Sequence, residues 1–467
     1  MKHTRIYTFL LLMGMTAVAS AQEVSPVDFM RTNPRAAYSN VATFTPYFGF
    51  FDMALGDVNV QVQNIGFKYD KFMRFNEQGY PVALDLAQGA ASMKNTNFLN
   101  VNASADVFSC GRRTRYGFFT YNHRFRVQES MAYSGDIIRL AANGNGAFLD
   151  HPANLDVKMN AKAYQEFNFG YQMCLTPKLN VGARVKFLMG AAHVHTNSLN
   201  AQLSTDPSTF ALSVTENVDV RATLPYEVSF INGKLNIADK RFNIMNYLKN
   251  YGTGIDLGAE YYINERFGVA AAINDFGFIH WNNNTVHFTG SVNDVGSMYE
   301  SGAFVFDGIN SAELQNLIND EDYLDKYLDT LTQYFGLQSE NLKGYNTMLN
   351  TTLLVRGYYN IDAQNRLSAQ LQGYCSGIGF RPALTLAYNG SFNDLFDVVA
   401  TYTMMPQSYG NIGLGLSANL GGFQIFVASN NVLGFFNPAN TRTLNAQIGI
   451  SFTSPEQYKR HEVLVKE

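Results

Sequence analysis

The stretch TLNAQIGISF, residues 443–452, sets Leu444, Ala446, Ile448, Ile450 and Phe452 on one side and Asn445, Gln447, Gly449 and Ser451 on the other. This is strict period two, so an extended strand here has one apolar and one wet face. Such a strand belongs either to a sheet lying on a soluble core or to a membrane barrel whose apolar face meets lipid. The same pattern recurs. LNVNASADV (99–107) aligns Leu99, Val101, Ala103, Ala105 and Val107. FNFGYQMCL (167–175), LNVGARVKFLM (179–189) and NIGLGLSANL (411–420) alternate in the same way, with Asn, Gly, Gln, Ser, Arg and Lys on the wet faces.

Composition favours the barrel. Aromatic residues make up 14% and charged residues 15%, against about 25% charged in an average chain. Mean hydropathy is only −0.13. Beyond the N-terminus no run of about 18 apolar residues is present, which excludes helical spans. Alternation halves the hydropathy signal of a membrane barrel, so a charge-poor chain rich in Tyr, Phe and Gly fits one. The N-terminus reads as a secretory signal peptide, 1–21: Lys2 and Arg5, the apolar run Ile6–Ala19, then small residues up to a cleavage site near Ala21. Three cysteines, Cys110, Cys174 and Cys375, are too few and too odd for a disulfide framework. A net charge of −4 gives no nucleic-acid footprint.

The expected fold is all-β: an outer-membrane antiparallel β-barrel spanning 48–452, of about 14 strands (12–16). The strands fall near 48–66, 97–109, 116–129, 161–175, 179–195, 251–263, 267–281, 349–361, 366–379, 382–391, 395–407, 410–420, 423–432 and 441–452. With the last strand ending in the periplasm, the tight turns at 110–115, 176–178, 264–266, 362–366 and 389–394 share that side. The inserts 70–96, 130–160, 196–250 and 282–348 all fall outside. Short periplasmic turns and long external loops are the habit of such barrels. The last insert holds an amphipathic helical segment near 311–337, spacing Leu314, Leu317, Ile318, Leu324, Tyr327, Leu328 and Leu331. The irregular segment 22–47 is a candidate plug, and 453–467 a charged periplasmic tail.

One strand breaks step. In FGVAAAINDFGFIHW (267–281), Ile273 and Phe276 are three apart. Keeping both on lipid needs one extra residue at Asn274–Asp275, which is the mark of a β-bulge and a candidate gate. The wet faces carry candidate lumen-lining charges of both signs: Asp106, Arg124, Arg126, Glu166, Arg184, Lys186, Asp256, Glu260, Arg356 and Asp397. They suit either a solvated channel or a plugged lumen with paired charges. His193 and His195 share a strand face but lack the third ligand a zinc site needs. NDEDYLDKYLD (319–329) lacks the Gly and terminal Glu of a calcium loop. Neither NGNG (143–146) nor GNIGLG (410–415) opens a helix as a phosphate loop must. No nucleophile triad is visible, so catalytic residues, metal and cofactor are all read as none.

GIDLGAEYYINERFGVAAAINDFGFIHW (254–281) together with SNNVLGFFNPANTRTLNAQIGISF (429–452) and the early Asn33–Pro34 resembles a Bacteroidetes-type family of exported barrels of unknown function. More distantly the chain is similar to long-chain fatty-acid transporter (FadL-like) barrels and to PorV-type barrels of type IX secretion. The resemblance implies residence in the outer membrane, with its lipid and the barrel-assembly machinery as partners, and transfers no catalytic residue. In the transporter relatives an N-terminal plug and a kinked strand gate the path, which points to 22–47 and 273–276 here. The functional expectation is a transport-type channel for a hydrophobic or small molecule. The alternative is a scaffold that holds or shuttles secreted surface proteins, with an enzyme third.

Overall fold

The computed structural model describes residues 24–43, 51–66, 69–77, 81–114, 116–208, 212–225, 228–231, 234–237, 248–292, 338–392, 395–406, 408–437 and 441–453. The stretches expected as a signal peptide (1–21), a helical segment (311–337) and a periplasmic tail beyond 453 lie outside these residues.

Fourteen antiparallel strands pair each with the next and the last with the first. They are β1 (Phe51–Ile65), β2 (Thr96–Arg113), β3 (Gly117–Ser134), β4 (Val157–Thr176), β5 (Leu179–Thr205), β6 (Tyr251–Tyr262) and β7 (Phe267–Trp281). The ring continues through β8 (Thr351–Asn360), β9 (Asn365–Ser376), β10 (Gly379–Phe392), β11 (Phe396–Met405), β12 (Ser408–Leu420), β13 (Phe423–Ser429) and β14 (Thr443–Thr453). β14 closes on β1 through pairs such as Val58↔Ile448 and Val62↔Leu444, so the barrel leaves no free edge.

Burial follows the alternation. Along β12, Ile412, Leu414 and Leu416 are exposed while Asn411 and Ser417 are buried. The apolar face therefore points out all round the ring, with Phe187, Val355, Leu416 and Ile448 each more than half exposed. A soluble protein does not present an apolar patch of this extent, whereas a membrane-spanning barrel must. The core is inverted: the polar residues are inside.

The short connections that follow Arg113, Thr176, Tyr262, Asn360, Phe392 and Leu420 share one end, and the long inserts share the other. All four inserts contain sheet: Met73–Phe75 pairs with Pro81–Leu84, Ala153–Asn154 pairs with β5, and the other two inserts extend the barrel wall. β5 runs to Thr205 and pairs with the strand Leu212–Thr223, which pairs with Thr285–Val292 and that in turn with Gln338–Asn341. Alternating stretches such as SVTENVDVRAT carry few large apolar residues, because this sheet stands beyond the apolar belt, so hydropathy does not mark it.

Candidate functional site: the lumen and its interrupted wall

Residues 24–43 form two short 3-10 turns. Ser25 caps the first, accepting from the Val27 N–H at 3.2 Å while Asp28 accepts from the Ser25 N–H. Asn33 caps the second, which starts at Pro34 and whose missing N–H costs nothing at that position. The segment lies against inward-facing residues of the ring and attaches in two ways. Val24, Val27, Phe29 and Met30 pack on Ala383, Ala387, Val399, Phe426 and Ala428 of β10, β11 and β13. Thr32 then donates from N and Oγ1 to Asp397 at 2.9 and 3.0 Å.

From Arg35 onward the contacts are ionic and polar. The Arg35 guanidinium lies 2.7 Å from Asp106 and 3.5 Å from Asp57. Tyr38 donates its hydroxyl to Asp106, and its ring lies under the guanidinium of Arg124, 4.0 Å from the centroid, with Arg184 at 5.3 Å. Arg184 Nη2 donates to the Ala37 carbonyl at 2.9 Å. Asn274 Nδ2 donates to the Ser39 carbonyl at 2.7 Å, and Arg356 donates to the Asp28 carbonyl and the Ser39 hydroxyl. At the short-turn end Arg31 donates to the Ala363 carbonyl at 2.9 Å.

These contacts belong to a belt of charge crossing β1 to β7. Asp57, Asp106, Glu166, Asp256 and Asp275 supply the acids, and Arg124, Arg126, Arg184, Lys186 and the visiting Arg35 supply the bases. Arg124 pairs with Asp106, and Arg126 with Asp275 at 2.8 Å and Glu166 at 3.6 Å. Arg184 meets Asp256 at 2.9 Å, and Lys186 bridges Asp256 and Asp275 at 2.9 and 2.5 Å. The signs cancel, as buried charge requires.

The wall is interrupted beside this belt. Ile255 pairs with Phe276 but Leu257 with Ile273, so Asn274 and Asp275 together oppose Asp256. Asp275 has φ 60°. The Asp275 N–H donates to the Asp256 carboxylate at 2.7 Å, so the extra polar group is satisfied inward rather than left facing hydrocarbon. The bulge inverts parity. Ala270, Ala272 and Asn274 point in before it, and Asp275, Ile279 and Trp281 after it, while Phe276 and Phe278 stay out. On the other side, β7 pairs with β8 up to Asn274↔Thr352. Pairing resumes at Phe278↔Met348 with the strand Tyr345–Met348. Between them the ladder is missing. Only Leu349 N–H to the Gly277 carbonyl, 2.9 Å, and Thr351 Oγ1–H to the Asp275 carbonyl, 3.0 Å, cross the gap.

A polar cavity of about 80 Å³ lies inside, lined by Arg35, Tyr38, Arg126, Glu166, Asn274, Asp275, Thr352 and Leu354 among others. Towards the long inserts the lumen turns apolar: Tyr164, Leu188, Ile279, Trp281, Tyr345 and Leu349 form one buried cluster.

All ten candidate lumen charges lie on barrel strands with their side chains turned inward. Asp106, Arg124, Arg126, Glu166, Arg184, Lys186 and Asp256 come together in the belt. Glu260 instead accepts from the Tyr358 hydroxyl at 2.8 Å, Arg356 donates to Gln370, and Asp397 takes Thr32 and Asn389. Ile273, Asn274, Asp275 and Phe276 sit at the bulge. His193 is buried, because the sheet continues beyond it.

Sequence reading passed over Asp57, Arg35 and Lys162. Asp57 follows Gly56, whose φ of 73° accompanies a register shift against β14 that breaks the count of alternation. Arg35 sits in an irregular segment, where no periodicity assigns a face. Lys162 was open to the same alternation argument as Glu166, four residues on.

Residues 42–430 match the model of a family of unknown function, DUF5723, and the chain belongs to that family. No curated relative matches it in sequence. Among solved structures it is similar to the Pseudomonas putida toluene transporter TodX, with 9% identity and a TM-score of 0.43 over 94% of this chain and 100% of that one. It is also similar to the Ralstonia pickettii toluene transporter TbuX (11%, TM-score 0.42, 92% and 97%). A Pseudomonas aeruginosa FadL homologue is a further match (10%, TM-score 0.39, 92% and 96%). At these scores the likenesses carry no functional assignment.

Proposed function

We propose that this member of the DUF5723 family is a transport-type barrel of the outer membrane, exported by cleavage near Ala21, that passes a hydrophobic or small molecule sideways through its wall. One observation carries the reading: the ladder gap between β7 and β8 opens beside the internal cavity. A straight route meets the segment 24–43 and a belt of ions, where an apolar solute gains nothing. The gap offers another. Asn274, Asp275, Thr352 and Leu354 line the cavity on its inner side, and Phe276, Phe278, Met348 and Leu353 face outward around it. A non-glycine residue at positive φ costs of order 1 kcal/mol or more and persists where its surroundings over-determine it. Here Arg126 and Lys186 both hold the Asp275 carboxylate.

Deleting Asn274 removes the extra residue and restores simple pairing with β6. In cells whose outer membrane carries the protein, the deletion is expected to abolish uptake of radiolabelled toluene while the folded, heat-modifiable band on gels persists. Uptake equal to that of the unaltered protein would reject the lateral path.

The second reading, a scaffold for secreted surface proteins, is favoured by the small size of the cavity and by the sheet built above the belt. It predicts no uptake by either form, and recovery of surface proteins with the barrel from detergent-solubilised envelopes.

A further inference from the structure

Above the apolar belt the inner face of the sheet carries two bases, Lys162 and Arg221, that form no ion pair among the described residues. His193 and His195 follow Met189 on β5, whose partner Tyr251 opens β6. The register sets Lys162 opposite His193, Asn160 opposite His195, and Arg221 of Leu212–Thr223 opposite His195 on its other side. Four polar side chains on three strands thus share one face, and the two imidazole rings are 6.0 Å apart.

His193 is held firmly. Its ring stacks on Trp281 at 4.9 Å. The Tyr345 hydroxyl, which accepts from Thr223 Oγ1–H at 3.1 Å, lies 2.9 Å from His193 Nδ1. His193 Nε2 is without a partner, although His193 is only 1% exposed. Nδ1 of His195 and Nε of Arg221 are likewise buried and unpartnered. The Lys162 ammonium touches only neutral oxygens, the Met348 carbonyl at 2.6 Å and Asn350 Oδ1 at 3.2 Å. Asp219, the acid on the same strand as Arg221, is taken up by His287 and Asn197.

Buried polar atoms in native proteins have partners, so several orphans in one place ask for an explanation. Bases on the two strands that flank His193 and His195, with no ion-paired carboxylate among the described residues, ask for the same one. We propose that Lys162, His193, His195 and Arg221 form a binding site for a tetrahedral oxyanion, a phosphate or sulfate group, free or carried on a larger molecule. The four side chains come from three adjacent strands instead of forming one planar fork. That arrangement suits an anion with oxygens in every direction better than a carboxylate, which takes paired parallel donors. His195 and Arg221 are half-exposed, so the anion enters from their side. The site stands apart from the lateral gap and does not depend on the transport reading.

The test is titration calorimetry on the full-length protein in neutral detergent at fixed pH. Inorganic phosphate and soluble dihexanoyl phosphatidate serve as separate probes. Saturable binding of at least one is expected, weakened tenfold or more in Arg221→Gln and in Lys162→Gln. Arg366→Gln, at the short-turn end, is expected to leave it unchanged. Tighter binding of phosphatidate would identify a lipid headgroup as the source of the anion, and equal binding a free ion. Arg221→Gln makes no new demand on folding, since that side chain has no hydrogen-bonded partner to lose. Absence of saturable binding by both probes, or equal affinity in Arg221→Gln and the unaltered protein, would overturn the proposal.

Discussion

The two halves of the lumen wall hold the same N-terminal segment by different physics. From β8 to β14 the inward face is mostly amide, hydroxyl and small apolar side chains, and residues 24–30 rest on it chiefly through aliphatic and aromatic contacts, with hydrogen bonds from Arg356 to the Asp28 carbonyl and from Ser25 to Gln447. From β1 to β7 the inward face carries, among buried amides such as Gln61, Asn102 and Gln128, an ion-paired set of acids and bases, and residues 35–40 enter that set as members: Arg35 as a fifth cation and Tyr38 as the ring between guanidinium groups. Apolar contacts are non-directional and tolerate adjustment. An ion belt in a low-dielectric wall tolerates none, because each charge removed strands its partner.

The largest expected effect tests that asymmetry. Asp256→Ala strands Arg184, leaves Lys186 with Asp275 alone, and should cost about 3–5 kcal/mol. Thr385→Val, which breaks the 3.0 Å Thr385–Thr403 hydroxyl contact on the neutral half, should cost about 1 kcal/mol. Urea unfolding of the two variants in lipid vesicles measures the difference, and equal midpoints would break the comparison.

Next comes the seating of the segment. A Cβ at Gly258, on the charged half, would meet Asn40 Oδ1 at 2.0 Å and the Ala42 backbone nitrogen at 3.0 Å. At Gly415, on the neutral half, it would meet Met30 Cε at 2.6 Å, the free end of a flexible side chain. Gly258→Ala is therefore expected to cost about 1–3 kcal/mol by overpacking and to expose residues 24–43 to protease. Gly415→Ala should leave them protected.

The bulge and the belt differ in how far they can be read from residues. The phase break between Ile273 and Phe276 and the register skip at Asn274–Asp275 fall in the same place, because a period-two strand cannot hide an extra residue when both flanks have a face to keep. The alternation likewise carries the ring and its inside and outside. Pairing inside the lumen is another matter. Arg126 meets Asp275, four strands away around the ring, and Arg35 meets two acids from a segment with no periodicity at all. Closure of the barrel, not any local pattern, makes these neighbours. The ladder gap on the β8 side is equally silent, since Thr351–Asn360 alternates without a break.

The smallest effect lies on the charged side above the belt. His287 joins three strands, donating from Nε2 to Asp219 and from Nδ1 to Glu340, both at 2.9 Å. Slight burial and nearby Arg221 disfavour its charge, but the hydrogen bonds to Glu340 and Asp219 outweigh them and raise its pKa above the usual histidine value. The clamp is thus complete below about pH 6.5 and is lost as pH rises through the raised value. Hydrogen exchange across 285–292 should quicken beyond the intrinsic pH effect as pH rises above about 6.5. His287→Asn should remove that excess.

The central claim is that residues 24–43 close a lumen whose charged half binds them as part of itself. Conductance across a planar lipid bilayer measures this directly. The protein with the segment is expected to pass no steady ion current, and a variant lacking residues 24–43 to conduct through the vacated barrel. Steady conductance with the segment in place, or an unchanged silent trace after its deletion from a folded barrel, would contradict the account.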